Sequence, residues 1–269
     1  MSETVIDAGT DRMIARKAGA IGWLIFNNPA RHNAVSMAMW QAIPRAAAAF
    51  AADPEIRVVV VTGAGERAFV AGADISEFET LRATPAQIAA YDRLSEDACR
   101  TLEELSKPTI AMIRGYCIGG GLDIALRCDL RLAAEDARFG IPAARLGVGY
   151  TFPEIARLVA LVGPALAKDI LFSGRQLSAA EALRGGLVNG VVPAASLAGT
   201  VADYAATIAA NAPLTIAAAK RCVAEAVKDA GQRDLEACDA LVKACFASAD
   251  YAEGRRAFME KRRPRFQGR

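Results

Sequence analysis

The sequence predicts an α/β core followed by a C-terminal helical region, and three observations carry that reading. Short apolar runs rich in β-branched residues, IRVVVVT at 56–62 and TIAMI at 109–113, read as buried strands. The second run leads through YC into Gly119, Gly120 and Gly121, which open the helix-like stretch LDIAL. From about Ala195 to the basic end EKRRPRFQGR, only helical patterning remains. The strand-bearing core is therefore placed at 1–194 and the helical region at 195–269.

The elements follow in order. Met13 to Arg16 and Ile21 to Phe26 flank Gly19-Ala20, which predicts a hairpin. Ser36 precedes MAMWQAIPRAAAAFAA, a helix expected to bend or restart at Pro44, where the ring removes a backbone donor. Thr84, Pro85 and Gln87 form a capping-box start for a long helix reaching about Leu105. Asp129 to Ala133 reads as a strand. Helical segments dominate after Gly163, with a second capping box at Ser178 and Glu181. Leu187 to Val192 offers a last strand. No internal repeat stands out at the level of residue identity.

Composition narrows the chemistry. The chain has 269 residues, 53% hydrophobic and 23% charged, with a net charge of +2. That is a globular balance, too nearly neutral to imply nucleic acid or an anionic membrane. The 6 cysteines show no CxxC pair and no metal-type spacing, so they read as reduced thiols. The start MSETVIDAGTDR carries no secretory pattern, and no apolar stretch is long enough to span a bilayer. A cytoplasmic location without membrane association is the expectation. With 1 histidine, His32, the chain is poorly supplied for Ser-His-Asp or HExxH chemistry. The basic residues between Lys261 and Arg269 fit a solvated terminus, and nucleic-acid binding is not expected.

The glycine run carries the chemistry. A strand, a glycine turn and a helix start aim free N–H groups and the positive end of a helix dipole at one point. With no Cβ, Gly120 lets an acyl oxygen approach its amide, as an oxyanion hole requires. A phosphate cradle would need GxxxxGK[ST] or GxGxxG, and neither is present. Close helix–strand packing is the plainer alternative. A second segment, TGAGERAFVAGADISEF at 62–78, again places small residues after a strand and before a helix start. Two such segments could supply two backbone donors.

At this point AFVAGADISEF, GYCIGGGLDIALRCDLRLA and LSAAEALRGGLVNGVVP together resemble the enoyl-CoA hydratase/isomerase, or crotonase, superfamily. NNPARHNAV near the start and EGRRAFMEKRRPRF at the end resemble its terminal motifs, so the likeness spans almost the whole chain. The resemblance implies a spiral of β-β-α repeats, a C-terminal helical region used in oligomerisation, and a homotrimer or dimer of trimers. It implies an acyl-CoA substrate whose coenzyme A is part of the substrate, with no tightly bound cofactor and no metal. The oxyanion amides would be those of Ala73 and Gly120. Coenzyme A would lie near Arg31 and His32, along Ala71, Asp74 and Ile75, with Phe258 and Lys261 reaching it from the last helix. His32 could equally be a solvated loop side chain, and Asp74 a helix cap.

Two positions depart from the hydratase pattern. Hydration needs a water activated toward the β-carbon and a proton delivered to the α-carbon, work shared by two carboxylates. Where the resembled hydratases carry two glutamates, this chain has Asp123 after the glycine run and Ala143 after Pro142. Ordinary hydratase and isomerase arrangements are thus both incomplete. Asp123 is the surviving acid–base candidate, or a first-turn acid favoured by the helix dipole. Tyr150 in RLGVGY resembles the tyrosine of methylmalonyl-CoA decarboxylases, and a core aromatic is its alternative. Glu154 could be a displaced carboxylate, and Arg145 could attract a substrate carboxylate. A weakly catalytic acyl-CoA binder is the third reading.

Overall fold

The computed structural model describes residues 3–269. Strands β1 (Glu3–Ile6), β2 (Met13–Ala18) and β3 (Ile21–Phe26) form an antiparallel meander, and Gly19-Ala20 closes the expected hairpin with Ala18 opposite Ile21. Helix α1 (Met37–Ala52) follows and runs through Pro44 without a break, which corrects the expected restart. Met39, Ile43, Ala46 and Phe50 bury one face of α1 on both sides of the proline. That burial outweighs the single backbone bond lost to the ring.

The chain then repeats one path three times. Strand β4 (Val58–Gly63) leads to β5 (Ala68–Val70), a short helix α2 (Phe78–Leu81) and the long α3 (Pro85–Glu103). Next, β6 (Thr109–Ile113) leads to β7 (Tyr116–Ile118) and α4 (Gly120–Arg127). In the third pass β8 (Leu130–Ala134) leads to β9 (Arg138–Gly140), α5 (Ala143–Leu146) and α6 (Phe152–Ser173). Each pass gives its first strand to a 7-stranded sheet, ordered β1-β2-β3-β4-β6-β8 and ending on β11 (Gly190–Val192). The second strand goes to a 4-stranded sheet, ordered β5-β7-β9 and ending on β10 (Leu177–Ser178). Pairing from β3 through β4, β6, β8 and β11 is parallel. This is the spiral of β-β-α repeats that the resemblance implied.

Strand β4 shows why its sequence is unbroken valine. Val59 and Val61 enter the main core with Phe26, Phe69, Ile113 and Leu122. Val58 and Val60 face the other way, against Leu197, Val201 and Ala205 of α8 (Leu197–Ala209). A parallel strand covered on both faces cannot alternate polar and apolar residues. Beyond α8 the helices α9 (Pro213–Ala226), α10 (Leu235–Ala247) and α11 (Ala249–Met259) pack on one another. The tail folds back on them, with the Gln267 and Gly268 amides donating to the Asp250 carboxylate at 2.7 and 2.8 Å.

Both expected capping boxes form, at Thr84–Gln87 and Ser178–Glu181, the latter opening α7 (Ala179–Arg184). The last strand is shorter than predicted, and helix resumes already at Phe152 rather than after Gly163. Gly163, at φ 73°, kinks α6 instead of preceding it.

Candidate functional site

The three glycines have three different causes. Gly119 turns the chain at φ 57°, a left-handed conformation that glycine adopts without strain, and its amide donates to Gly140 O at 2.8 Å. At Gly121 a Cβ would lie 2.1 Å from Val70 O, so α4 packs on β5 only with the backbone bare. A Cβ on Gly120 would meet nothing nearer than Trp40 Cζ2 at 3.9 Å. Gly120 faces an open cavity of about 330 Å³.

The opposite wall is built by the 71–75 segment. Gly72 turns at φ 106°, the Val35 amide donates to Gly72 O at 2.8 Å, and the Asp74 amide donates to Val35 O at 2.9 Å. The clamp brackets Ala73. Among the described residues neither the Ala73 nor the Gly120 N–H finds an acceptor, and both residues line the cavity. Paired donors left without protein partners on one cavity suit a developing oxyanion.

Asp123 lies on the same cavity, one helical turn behind Gly120, and is only 7% exposed. Its Oδ1 is 3.5 Å from Arg127 Nε, an ion-pair contact in which neither atom makes a hydrogen bond. Arg127 is committed elsewhere, to Glu96 at 2.5 and 3.1 Å and to Glu103 at 3.2 Å. Burial therefore dominates and pushes the Asp123 carboxyl above its usual range, although Arg127 pulls the other way. Tyr150 also lines the cavity. Burial, then the charges of Glu154 and Asp123, keep its phenol protonated well above the usual range. Burial likewise raises Glu154 against the opposing hydrogen bonds from Thr151.

The structure brings Ala71, Ala73, Ile75, Gly120, Asp123 and Tyr150 together on this cavity, with Ala143 and Glu154 beside them. Other predicted residues stand apart from it. The Asp74 carboxylate is buried and already engaged by Arg31 at 2.8 Å, the Ser76 amide at 3.1 Å and the Ser76 hydroxyl at 2.7 Å. Burial alone would raise Asp74, but the Ser76 bonds and Arg31 outweigh it and hold the carboxyl low. Asp74 thus anchors the loop through Arg31 and Ser76. His32 sits at φ 52° with its ring edge-on to Tyr116 at 6.0 Å, and it does not line the cavity. Nor do Phe258 and Lys261. Phe258 instead lines a separate apolar groove with Leu214, Phe246 and Tyr251. Arg145 points away, toward Ser173 O.

Several wall residues escaped the sequence reading. Trp40 Nε1 donates to Tyr91 Oη at 2.8 Å, and the Arg82 guanidinium stacks 4.8 Å over the Tyr91 ring while pairing with Asp92 at 3.0 Å. Tyr91, Asp92, Ser95 and Glu96 all line the cavity from one face of α3. Their helical spacing was a usable signal, since residues four apart share a face. Among the described residues no cluster of His, Cys, Asp and Glu is arranged to hold a metal.

Fold and cavity define a class: a spiral of β-β-α repeats in which two unpartnered backbone donors and the buried Asp123 line one cavity. The enoyl-CoA hydratase/isomerase family profile matches residues 16–269. The short-chain-enoyl-CoA hydratase of Clostridium acetobutylicum is 35% identical, aligned over 94% of this chain and 96% of its own. The crotonyl-CoA hydratase of Syntrophomonas wolfei is 34% identical over 95% of this chain and 98% of its own. Among solved structures, an enoyl-CoA hydratase/carnithine racemase from Magnetospirillum magneticum superposes with a TM-score of 0.91 at 38% identity, covering 97% of both chains. The chain belongs to the enoyl-CoA hydratase/isomerase family.

Proposed function

We propose that the protein is a hydratase-type lyase acting on 2-enoyl-CoA thioesters, with Asp123 as its surviving acid–base residue. The observation that carries this reading is the free Gly120 amide at the start of α4, with the buried Asp123 carboxyl one turn behind it on the same cavity. The thioester oxygen would accept from Ala73 and Gly120, lowering the energy of the enolate formed when a nucleophile adds at the β-carbon. Asp123, kept protonated more readily by burial, would deliver the α-proton.

In this proposal coenzyme A runs out past Ala71 and Ile75, with Arg31 and Asp74 organising the loop that carries them. His32 would lie beside that path, its carbonyl accepting from the Ala71 amide at 3.1 Å. Phe258 and Lys261 would reach a neighbouring subunit's coenzyme A within a homotrimer or dimer of trimers. Supporting this, Phe258 is 82% exposed on a lone chain.

Purified protein with crotonyl-CoA, followed by loss of the enoyl-thioester absorbance, tests the reading. Turnover is expected to be slow but measurable, and to fall about 10²-fold or more in Asp123→Ala. Absence of turnover with every 2-enoyl-CoA tried overturns it. Tight thioester binding in that case would favour the weakly catalytic binder.

A second reading has one observation in its favour. Tyr150 Oη lies 3.6 Å from where a Gly119 Cβ would stand, beside the oxyanion turn. A protonated phenol there could donate to a carboxylate leaving a malonyl-type thioester. Release of CO₂ unchanged in Tyr150→Phe would remove that role.

A further inference from the structure

Four carboxylates line the cavity: Asp92, Glu96, Asp123 and Glu154. Asp92 is paired with Arg82, Glu96 with Arg127, and Asp123 lies against Arg127 at 3.5 Å. Glu154 alone has no cation within ion-pair distance among the described residues. An unpaired acid in a partly dry cavity is costly to keep. Its position is nevertheless fixed. Glu154 stands in the first turn of α6, where Oε2 accepts from the Thr151 amide at 2.7 Å and from Thr151 Oγ1 at 2.8 Å. Both bonds use Oε2, which leaves Oε1 for whatever occupies the cavity.

We propose that Glu154 is the carboxylate that takes the proton of the attacking water, working with Asp123 in place of the acid absent at Ala143. The inference rests on the hydratase reading above. Water oxygen bonds to the β-carbon as its proton passes to Glu154, the C=C π pair moves through the enolate, and Asp123 gives its proton to the α-carbon. The sum is one H and one OH added, and a proton returning from Glu154 to Asp123 resets the pair. Burial raises both carboxyls; the Thr151 bonds oppose it at Glu154, and Arg127, Cys99 and Arg157 oppose it at Asp123. Glu154 and Asp123 each raise the phenol of Tyr150, consistent with one protic cluster.

The substitution Glu154→Gln separates this role from helix capping. Glutamine serves at the third position of a capping box, and its one carbonyl oxygen can accept both bonds now made by Oε2. Crotonyl-CoA hydration should fall about 10²–10⁴-fold in Glu154→Gln with the melting temperature not lowered. Exchange of the α-protons of butyryl-CoA with D₂O, which needs Asp123 and the oxyanion donors only, should persist. Asp123→Asn should lose both. Hydration retained in Glu154→Gln overturns the proposal while leaving the hydratase reading intact, and loss of both reactions with a lowered melting temperature overturns it as a purely structural role. Inactive wild-type protein would overturn the hydratase reading itself and this inference with it.

Discussion

At Asp123, catalysis and stability pull in opposite directions. Burial is the leading cause of its raised carboxyl value, and Glu96 adds to it, while Arg127, Cys99 and Arg157 oppose. Because the folded value exceeds the usual 3.8, the folded chain holds this proton more tightly than the unfolded chain does. The resulting stabilisation is complete below the unfolded value and is lost as pH rises through the folded one. Asp123→Asn is therefore expected to melt higher than wild type at pH 7, with the gap closing below about pH 4. Thermal melts at both pH values check this, and a gap independent of pH would contradict it. Arg127 carries the opposite expectation. Its side chain is fully buried among Glu96, Glu103 and Asp123. Arg127→Met should cost about 3–5 kcal/mol in urea unfolding, because it strands those charges.

At the scale of elements, α4 is held where it is by one missing methyl. Gly121→Ala would place Cβ 2.1 Å from Val70 O, so either α4 or β5 must move. A stability loss of about 1–3 kcal/mol is expected, together with loss of crotonyl-CoA turnover as the Gly120 amide shifts. Wild-type activity in that variant would contradict the packing argument. Thr84→Ala, remote from the glycines, should cost only about 1 kcal/mol through its cap. Long or strongly marked elements were legible in the sequence. The valine run of β4, TIAMI of β6 and the two capping boxes appear where they were read, within a few residues. The second sheet was not legible. AFV, YCI and RFG are three residues each, too short for any period to show, and they exist because each preceding strand delivers the chain to a paired neighbour. The uninterrupted α1 was missed for a related reason. Local chemistry at Pro44 favours a break, and tertiary burial on either side overrides it.

For the whole molecule, the parallel spiral brings remote segments to one cavity. Gly72 and Ala73 come from the first repeat, Gly120 and Asp123 from the second, and Tyr150 and Glu154 from the third. The glycine run and Asp123 could be read locally, and resemblance supplied Ala73 and Tyr150. The wall from α3, with Tyr91, Asp92 and Glu96, offered only its helical spacing as a signal, and the fold was needed to bring that face to the cavity. The far end of the chain invites a separate expectation. Phe246, Tyr251, Phe258 and Met259 are all exposed on a single chain, and Phe246, Tyr251 and Phe258 line one apolar groove. Light scattering is expected to give a trimer or hexamer, and Phe258→Asp to shift it toward smaller species. A monomeric wild type would contradict this.

The measurement that bears most directly on enolate stabilisation is α-proton exchange of butyryl-CoA in D₂O, followed by mass spectrometry. It requires neither water addition nor a leaving carboxylate. Deuterium entering at the α-carbon with wild-type protein, and at least about 10²-fold more slowly with Asp123→Asn, is the predicted result. Butyryl-CoA that binds tightly yet exchanges no faster than in buffer would contradict an enolate-stabilising site at Gly120 and Asp123.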